Sequence, residues 1–160
     1  MTTTTTARGA AAGAVGVLAM DVVTWLMYRR EDPADLAREQ RARAFGQDTA
    51  HALVRRVAEA VGSDAGAEQP NGAGIAVHYA LGMGPGAVYA EQRQKHPWLR
   101  AGRGALYGSG LFVVNDEIAA PLLGIAGPPG AYPWQAHVRG LVGHVVLGMV
   151  TEATLNAIEE

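Results

Sequence analysis

The first 28 residues constrain this chain more than any other segment. Residues 9–28 form an apolar run of 20 residues in which Asp21 is the single ionisable side chain. Twenty residues in a helix cover the roughly 30 Å hydrocarbon layer of a bilayer. The apolar core of a cleaved signal peptide has about 7–15 residues and precedes small residues, whereas this run ends at Trp25 and Tyr28, followed by two arginines. The run therefore predicts an uncleaved membrane-spanning helix.

Three further apolar segments follow the first one, over residues 72–90, 104–125 and 134–157. Aromatic rings with a polar atom prefer the membrane interface, and all three tryptophans stand near the ends of these segments, at Trp25, Trp98 and Trp134. Glycines at four-residue spacing let helix backbones approach closely in lipid, and such pairs occur at Gly9/Gly13, Gly82/Gly86 and Gly104/Gly108. These features together predict an all-α, polytopic membrane protein with four transmembrane helices in a single domain.

Residues 31–70 form a polar insert between the first two predicted spans. Charged residues dominate its first part, and apolar residues then recur at helical spacing at Ala50, Leu53, Val54, Val57 and Val61. This stripe predicts an amphipathic helix. The helix either lies on the membrane surface or belongs to a solvated helical hairpin. Residues 62–72 have the composition of a flexible linker.

Composition excludes several classes of protein. The chain has no cysteine, which rules out disulfides, thiolate metal sites and cysteine nucleophiles. Its net charge of -2 argues against a nucleic-acid partner. The glycines of residues 9–16 resemble a dinucleotide-binding loop but follow no strand, and the common hydrolase, zinc-protease and nucleotide-binding motifs are absent. No catalytic residue is predicted, and a function other than catalysis is favoured.

Polar side chains inside the apolar segments are the candidate functional residues. A charged side chain at the centre of a bilayer costs about 2.5–3.5 kcal/mol on insertion scales, so such groups pair, face the helix bundle or line a wet cavity. Two interpretations stay open: an interhelical hydrogen-bond cluster without a ligand, and a path for protons or a small cation. The candidates are Asp21, His78, Asp116, Glu117, His144 and Glu152.

The third apolar segment contains a proline close to two of these acids. Pro121 lacks an N–H group and crowds the carbonyl of Glu117, four residues earlier. It is therefore predicted to break the backbone beside Asp116 and Glu117, a combination that transporters use for cations. In the alternative, the helix ends near Ala119 and residues 121–133 form a turn at the interface.

The histidines allow a metal or haem interpretation. His78 and His144 from two helices, with Asp116 from a third, would suit Zn, Fe or Mn, and two facing histidines can hold a haem. His137 lies about 10.5 Å from His144 along a helix axis, too far to share a metal ion with it. A histidine in an apolar helix is more often a hydrogen-bonded core residue. The cofactor is therefore unknown: none, a metal ion or haem.

A string of residues over 71–156 resembles the YagU-like family of small bacterial inner-membrane proteins. The matching residues are His78, Tyr89-Ala90-Glu91, the stretch from Pro121 to Pro129, Tyr132-Pro133-Trp134, Gly143-His144 and Glu152. Asp116 departs from the family pattern, which has histidine there; both side chains titrate and bind metals. The resemblance implies a multi-pass location in the bacterial inner membrane and at most a link to acid tolerance, with no known activity.

The expected partners follow from this assignment. They are the lipid bilayer and a second copy of the chain, associated through the glycine faces. Orientation stays open, because seven arginines flank the spans on the insert side and five basic residues flank them on the other, which is too even for the positive-inside rule.

Overall fold

The computed structural model describes residues 3–159, in which helices are joined by turns and no β-strand occurs. The helices are α1 (Thr3–Tyr28), α2 (Pro33–Ala42), α3 (Thr49–Ala60), α4 (Gly72–Lys95), α5 (Ala105–Leu111), α6 (Ala120–Leu122) and α7 (Trp134–Glu159). Three 3-10 segments lie at Ala44–Gly46, Pro97–Gly104 and Pro129–Ala131, and a π-helical segment, Phe112–Ala119, joins α5 to α6. The all-α prediction is confirmed.

The helices of the four apolar segments pack in the order α4–α1–α7–α5, and each is antiparallel to its neighbour. Helix α1 lies between α4 and α7, and α7 also packs against α5. The predicted glycine pairs stand at these contacts: a Cβ on Gly13 would meet the carbonyl of Gly82, and one on Gly108 would meet the carbonyl of His144. Because the glycine faces are used inside the chain, a homo-oligomer through them stays a prediction.

Two helices have the length and apolar composition to cross a membrane. Helices α1 and α7 each have 26 residues, about 39 Å at 1.5 Å per residue. Across the described part of the chain no other helix passes the same test. Helix α4 is long enough but ends in polar turns, and the third segment is divided by its π-helical part, which carries Asp116 and Glu117. The structure therefore offers two candidate spans, and the four predicted spans stay a prediction.

The polar insert is helical and folds onto the bundle. Asp32 caps α2 by accepting a hydrogen bond from the Ala34 N–H at 2.7 Å, and Pro33 occupies the first turn, where its missing N–H does no harm. Helix α3 packs against α4. Its fully buried Ala52 contacts Ala120 and Ile125 near the end of the third segment.

The predicted apolar stripe on α3 is only partly buried. Ala50 is buried, but Val57 and Val61 are 57% and 75% exposed. Helix α3 instead approaches the bundle through its small residues and His51, which fills the space beside Gly74. Small side chains permit the closer approach, so the bulkier valines are left on the outer face.

The helix of the third segment continues through Pro121. Ahead of the proline the hydrogen bonds reach five residues back, and the Ala120 N–H donates to the carbonyl of Asn115. The helix ends after Leu122, where Gly124 adopts a φ of +67° and terminates it in the usual glycine-capped manner. The predicted disturbance beside Asp116 and Glu117 is thus a widened helix, a feature frequent at functional sites.

Candidate functional site

A cavity of about 650 Å³ lies between α4 and the π-helical segment. Helices α1 and α7 form its floor, and α3 covers it. Because α4 packs mainly on α1 while α5 packs on α7, the facing sides of α4 and the third segment leave this space. Four predicted site residues line it, one from each long helical segment: Asp21, His78, Asp116 and His144.

Asp21 and His78 form the first pair in this cavity. The His78 Nε2 lies 2.8 Å from the Asp21 Oδ1. The antiparallel packing of α1 and α4 brings the two side chains together, since Gly13 meets Gly82 about two turns from Asp21 on α1 and one turn from His78 on α4. Both side chains are partly exposed, at 42% for Asp21 and 33% for His78. The pair therefore joins α1 to α4 at the edge of the cavity.

Asp116 and His144 form the second, looser pair. The His144 Nδ1 lies 3.7 Å from the Asp116 Oδ2 and 2.9 Å from the carbonyl of Gly140. A carbonyl can only accept, so the proton sits on Nδ1 and is donated to Gly140. Across residues 3–159, the Asp116 carboxylate accepts no hydrogen bond. Asp116 thus faces the cavity as a carboxylate without a fixed donor.

Aspartates and histidines make up most of the titratable lining of the cavity. Its titratable side chains are Asp21, Asp48, Tyr79, Asp116, His51, His78 and His144, and the described residues that line it include no lysine or arginine. Most of the remaining lining is aliphatic. The described lining therefore holds three aspartates and three histidines, with no lysine or arginine.

The predicted metal ligands do not form a coordination group. His78, His144 and Asp116 share the cavity, but within residues 3–159 no three histidine or acidic side chains come close enough to hold a metal ion. A third ligand within about 2.0–2.2 Å of a common point would be required.

Two further lining residues, Asp48 and His51, come from the insert and were not predicted. His51 Nδ1 donates to the Asp48 carboxylate at 2.8 Å, and the Asn71 N–H donates to Nε2 at 3.2 Å. Burial raises the pKa of Asp48, but hydrogen bonds from His51 outweigh burial and hold that pKa below its usual value. The spacing of an acid three residues before a histidine at a helix start was the available signal.

A smaller cavity of about 190 Å³ adjoins the first on the insert side. Asp116, Asp48 and Thr49 line both cavities. Glu117 belongs to the smaller one, where its Oε1 lies 2.5 Å from the His137 Nδ1. The structure therefore separates the two neighbouring acids, with Glu117 paired to His137 and Asp116 between the cavities.

An ion-pair network borders the smaller cavity. Arg139 donates to Glu31 and, at 2.5 Å, to Glu39, which also accepts from Arg43 at 2.7 Å. Burial raises the pKa of Glu39, but the hydrogen bonds and charges of Arg139 and Arg43 outweigh it, so the pKa is lowered. Sequence reasoning missed this network because Glu39 and Arg139 are 100 residues apart.

Glu152 lies in a separate cluster near the chain termini. It accepts hydrogen bonds from the Tyr89 hydroxyl at 2.8 Å, Arg93 at 2.6 Å and Arg100 at 2.7 Å. Its side chain is 4% exposed. The cluster joins α4, the Pro97–Gly104 segment and α7, and it does not border either cavity.

Comparisons with known proteins identify a family and no activity. A family model described as "Protein of unknown function (DUF1440)" matches residues 63–153, which include His78, Asp116, His144 and Glu152. No curated protein and no solved structure gives a significant match. The more specific resemblance to the YagU-like family stays a prediction. The matched region covers more than half of the chain, and the chain therefore belongs to this family of unknown function.

Proposed function

We propose that this chain is a multi-pass protein of the bacterial inner membrane whose larger cavity takes up and releases protons as part of proton or small-cation transport. The four spans are α1, α4, the segment from α5 to α6, and α7. The observation that carries the proposal is the meeting of Asp21, His78, Asp116 and His144, from all four segments, on one cavity.

The outer surface supports four spans. Large apolar side chains are exposed on every one of the four segments, including Leu18, Val88, Val114 and Met149. Water-soluble monomers rarely expose apolar patches of more than a few hundred Å², whereas lipid solvates such side chains. Trp25, Trp98 and Trp134 are 55%, 62% and 69% exposed, as expected for rings at the membrane interface.

Labelling of single cysteines tests the number of spans. The chain has no cysteine, so Ser63→Cys, Ala101→Cys and Gly130→Cys each introduce a unique exposed thiol. With four spans, a membrane-impermeant maleimide reaches positions 63 and 130 from one side and position 101 from the other. With two spans, α1 and α7, all three positions label from the same side, and the proposal is wrong.

The chemistry of the cavity supports proton exchange. Histidine is the side chain whose ordinary pKa lies nearest physiological pH, and each histidine named in the proposal lies beside an aspartate. Ionisable groups in membrane helices commonly form proton relays. The cavity ends at Gly82 and Leu147, beyond which close helix contacts and the Glu152 cluster fill the bundle. Protons therefore enter this cavity from the half that carries the insert.

Proton flux into proteoliposomes tests the function. A pH-sensitive dye trapped inside reports the collapse of an imposed pH gradient. Wild-type protein is expected to accelerate the collapse, and Asp116→Asn is expected to slow it at least ten-fold. Asp64→Asn, the same change on the exposed linker, serves as the matched control and retains the wild-type rate. Equal rates for wild type and Asp116→Asn, or for wild type and empty liposomes, would overturn the proposal.

A further inference from the structure

We infer that the larger cavity binds an organic cation with an apolar body. The inference deepens the proposed function, on which it rests, by naming the class of solute that uses the proton-exchanging cavity. It is carried by three properties of the same cavity: its volume, the sign of its charge and the chemistry of its walls.

The volume exceeds what a proton or a simple ion requires. A water molecule takes about 30 Å³ in the liquid, and sites for small organic ligands measure about 300–1,000 Å³. At about 650 Å³, the cavity falls inside that second range. A coordinated metal ion is also disfavoured, because the described residues offer no group of three ligands.

The charge selects a cation. Asp21 is engaged by His78 at 2.8 Å, and Asp48 is engaged by His51 and by Gln69, at 2.7 Å for the latter. Asp116 alone among the three lining carboxylates has no hydrogen-bond donor in the described chain. An anion would meet Asp116 and would find no lysine or arginine on the described lining. A cationic head next to Asp116 is therefore the complementary ligand.

The walls select an apolar body. Ile75, Leu81 and Leu123 line the cavity and are 49%, 38% and 56% exposed, so a ligand with an apolar body would bury part of their surface. Tyr79 also borders the cavity, and an aromatic face attracts a cation within about 6 Å of its centre. A delocalised or quaternary cation with hydrocarbon groups matches both the head and the walls.

Equilibrium dialysis of the full-length protein in detergent tests the inference, with labelled tetraphenylphosphonium as the probe and empty micelles as the blank. Tetraphenylborate, of the same shape and opposite charge, is measured in a parallel cell. Tetramethylammonium, which has the charge without the large apolar body, is used as a competitor. We expect saturable binding of tetraphenylphosphonium, no saturable binding of tetraphenylborate, and at least ten-fold weaker binding of tetramethylammonium.

Variants assign the binding to the cavity. Asp116→Asn is expected to weaken tetraphenylphosphonium binding at least ten-fold, Asp116→Glu to restore most of it, and Asp64→Asn to leave it unchanged. Size-exclusion profiles confirm that each variant is folded. The inference is overturned if tetraphenylphosphonium does not bind saturably, if tetraphenylborate binds equally well, or if Asp116→Asn binds like wild type.

Proton flux measured on the same preparations separates the two hypotheses. Flux without tetraphenylphosphonium binding retains the proposed function and rejects the organic cation. Binding without flux retains the organic cation as a ligand and rejects proton transport. If the wild-type protein shows neither tetraphenylphosphonium binding nor proton flux, both hypotheses are rejected.

Discussion

The two ends of the helix bundle use their charged residues in opposite ways. Near the termini, Glu152 is buried and accepts hydrogen bonds from Tyr89, Arg93 and Arg100. Toward the insert, Asp116 borders a cavity, and the His144 Nδ1 lies 3.7 Å from its carboxyl group. Arginine stays charged at any physiological pH. The first arrangement therefore holds helices together through permanent charges, and the second contains no arginine or lysine among the described residues that line the cavity.

The helices are also packed more tightly at the end that contains Glu152 than at the end that contains Asp116. Around the Glu152 cluster, the helices touch through glycines, and Gly104 and Gly148 approach each other through their backbones. Around Asp116 the helices separate and leave the larger cavity. Voids reduce the dispersion contacts that stabilise a folded chain. The cavity beside Asp116 therefore lowers the stability of the folded chain at the place where the proposed ligand would bind.

Removing the buried carboxylate of Glu152 should have the largest effect on the free energy of unfolding. Glu152→Ala leaves Arg93, which is 2% exposed, without its main buried partner. Breaking a buried ion pair on one side costs about 3–5 kcal/mol. We expect a loss of that size in the free energy of unfolding, measured by denaturant titration in mixed micelles. A loss below about 1 kcal/mol would show that the terminal end is not locked by this cluster.

A matched pair of glycine substitutions on α5 should have the next largest effect. A Cβ on Gly108 would collide with the backbone of His144, whereas one on Gly110 meets nothing within 4 Å. Gly108→Ala is expected to lower the free energy of unfolding by about 1–3 kcal/mol, as overpacking does. Gly110→Ala is expected to raise it by at most about 1 kcal/mol through helix propensity. Equal effects on thermal unfolding would contradict the close contact between α5 and α7.

The loss of stability at acid pH should depend in part on Glu39. Its lowered pKa in the folded state means that its contribution is complete above the unfolded value of about 4.5 and is lost as the pH falls through the lower folded value. Glu39→Gln should therefore be less stable than wild type at pH 7, by about 1–3 kcal/mol for hydrogen bonds to a charged group.

Unfolding measured in steps from pH 7 to pH 3 checks this sign. The difference between wild type and Glu39→Gln should shrink only below about pH 4.5, where Glu39 starts to take up a proton. A difference that grows on acidification would mean that the pKa of Glu39 is higher in the folded protein than in the unfolded chain.

The smallest effect on stability is expected at Asp116. Asp116→Asn removes no hydrogen bond to a described residue and preserves the shape of the side chain. We expect the free energy of unfolding to change by less than about 1 kcal/mol, as at sites without a specific contact, although proton flux is lost. A loss comparable to that of Glu152→Ala would turn Asp116 into a structural residue and remove the contrast between the two ends.

Local chemistry explains which features were predictable. Helix starts are marked by aspartates that cap the first turn, at Asp32 and Asp48, and by Pro33, whose ring suits the first turn of α2. The glycine spacing on α1, α4 and α5 indicated close helix contacts, which occur at Gly13, Gly82 and Gly108. In each case, the physical cause acts within a few residues of the signal.

Features that depend on distant partners were not predictable. Glu39 meets Arg139 across 100 residues, and no periodicity connects two such positions. The outer position of Val57 and Val61 follows from the approach of α3 through its alanines, which depends on the surface that the bundle presents. His51 was overlooked because its role needs both Asp48 and the backbone of Asn71.

The order of the residues was enough to predict that the chain is helical, where polar side chains interrupt the apolar segments, and which glycines bring helices together, because helical periodicity and side-chain size are properties of short stretches. The folded bundle was needed to show that four polar residues border one cavity, namely Asp21, His78, Asp116 and His144, while Glu152 lies apart in an arginine cluster. The reason is that the neighbours of each helix are chosen by packing over the whole bundle, and these neighbours assign every charge its partner.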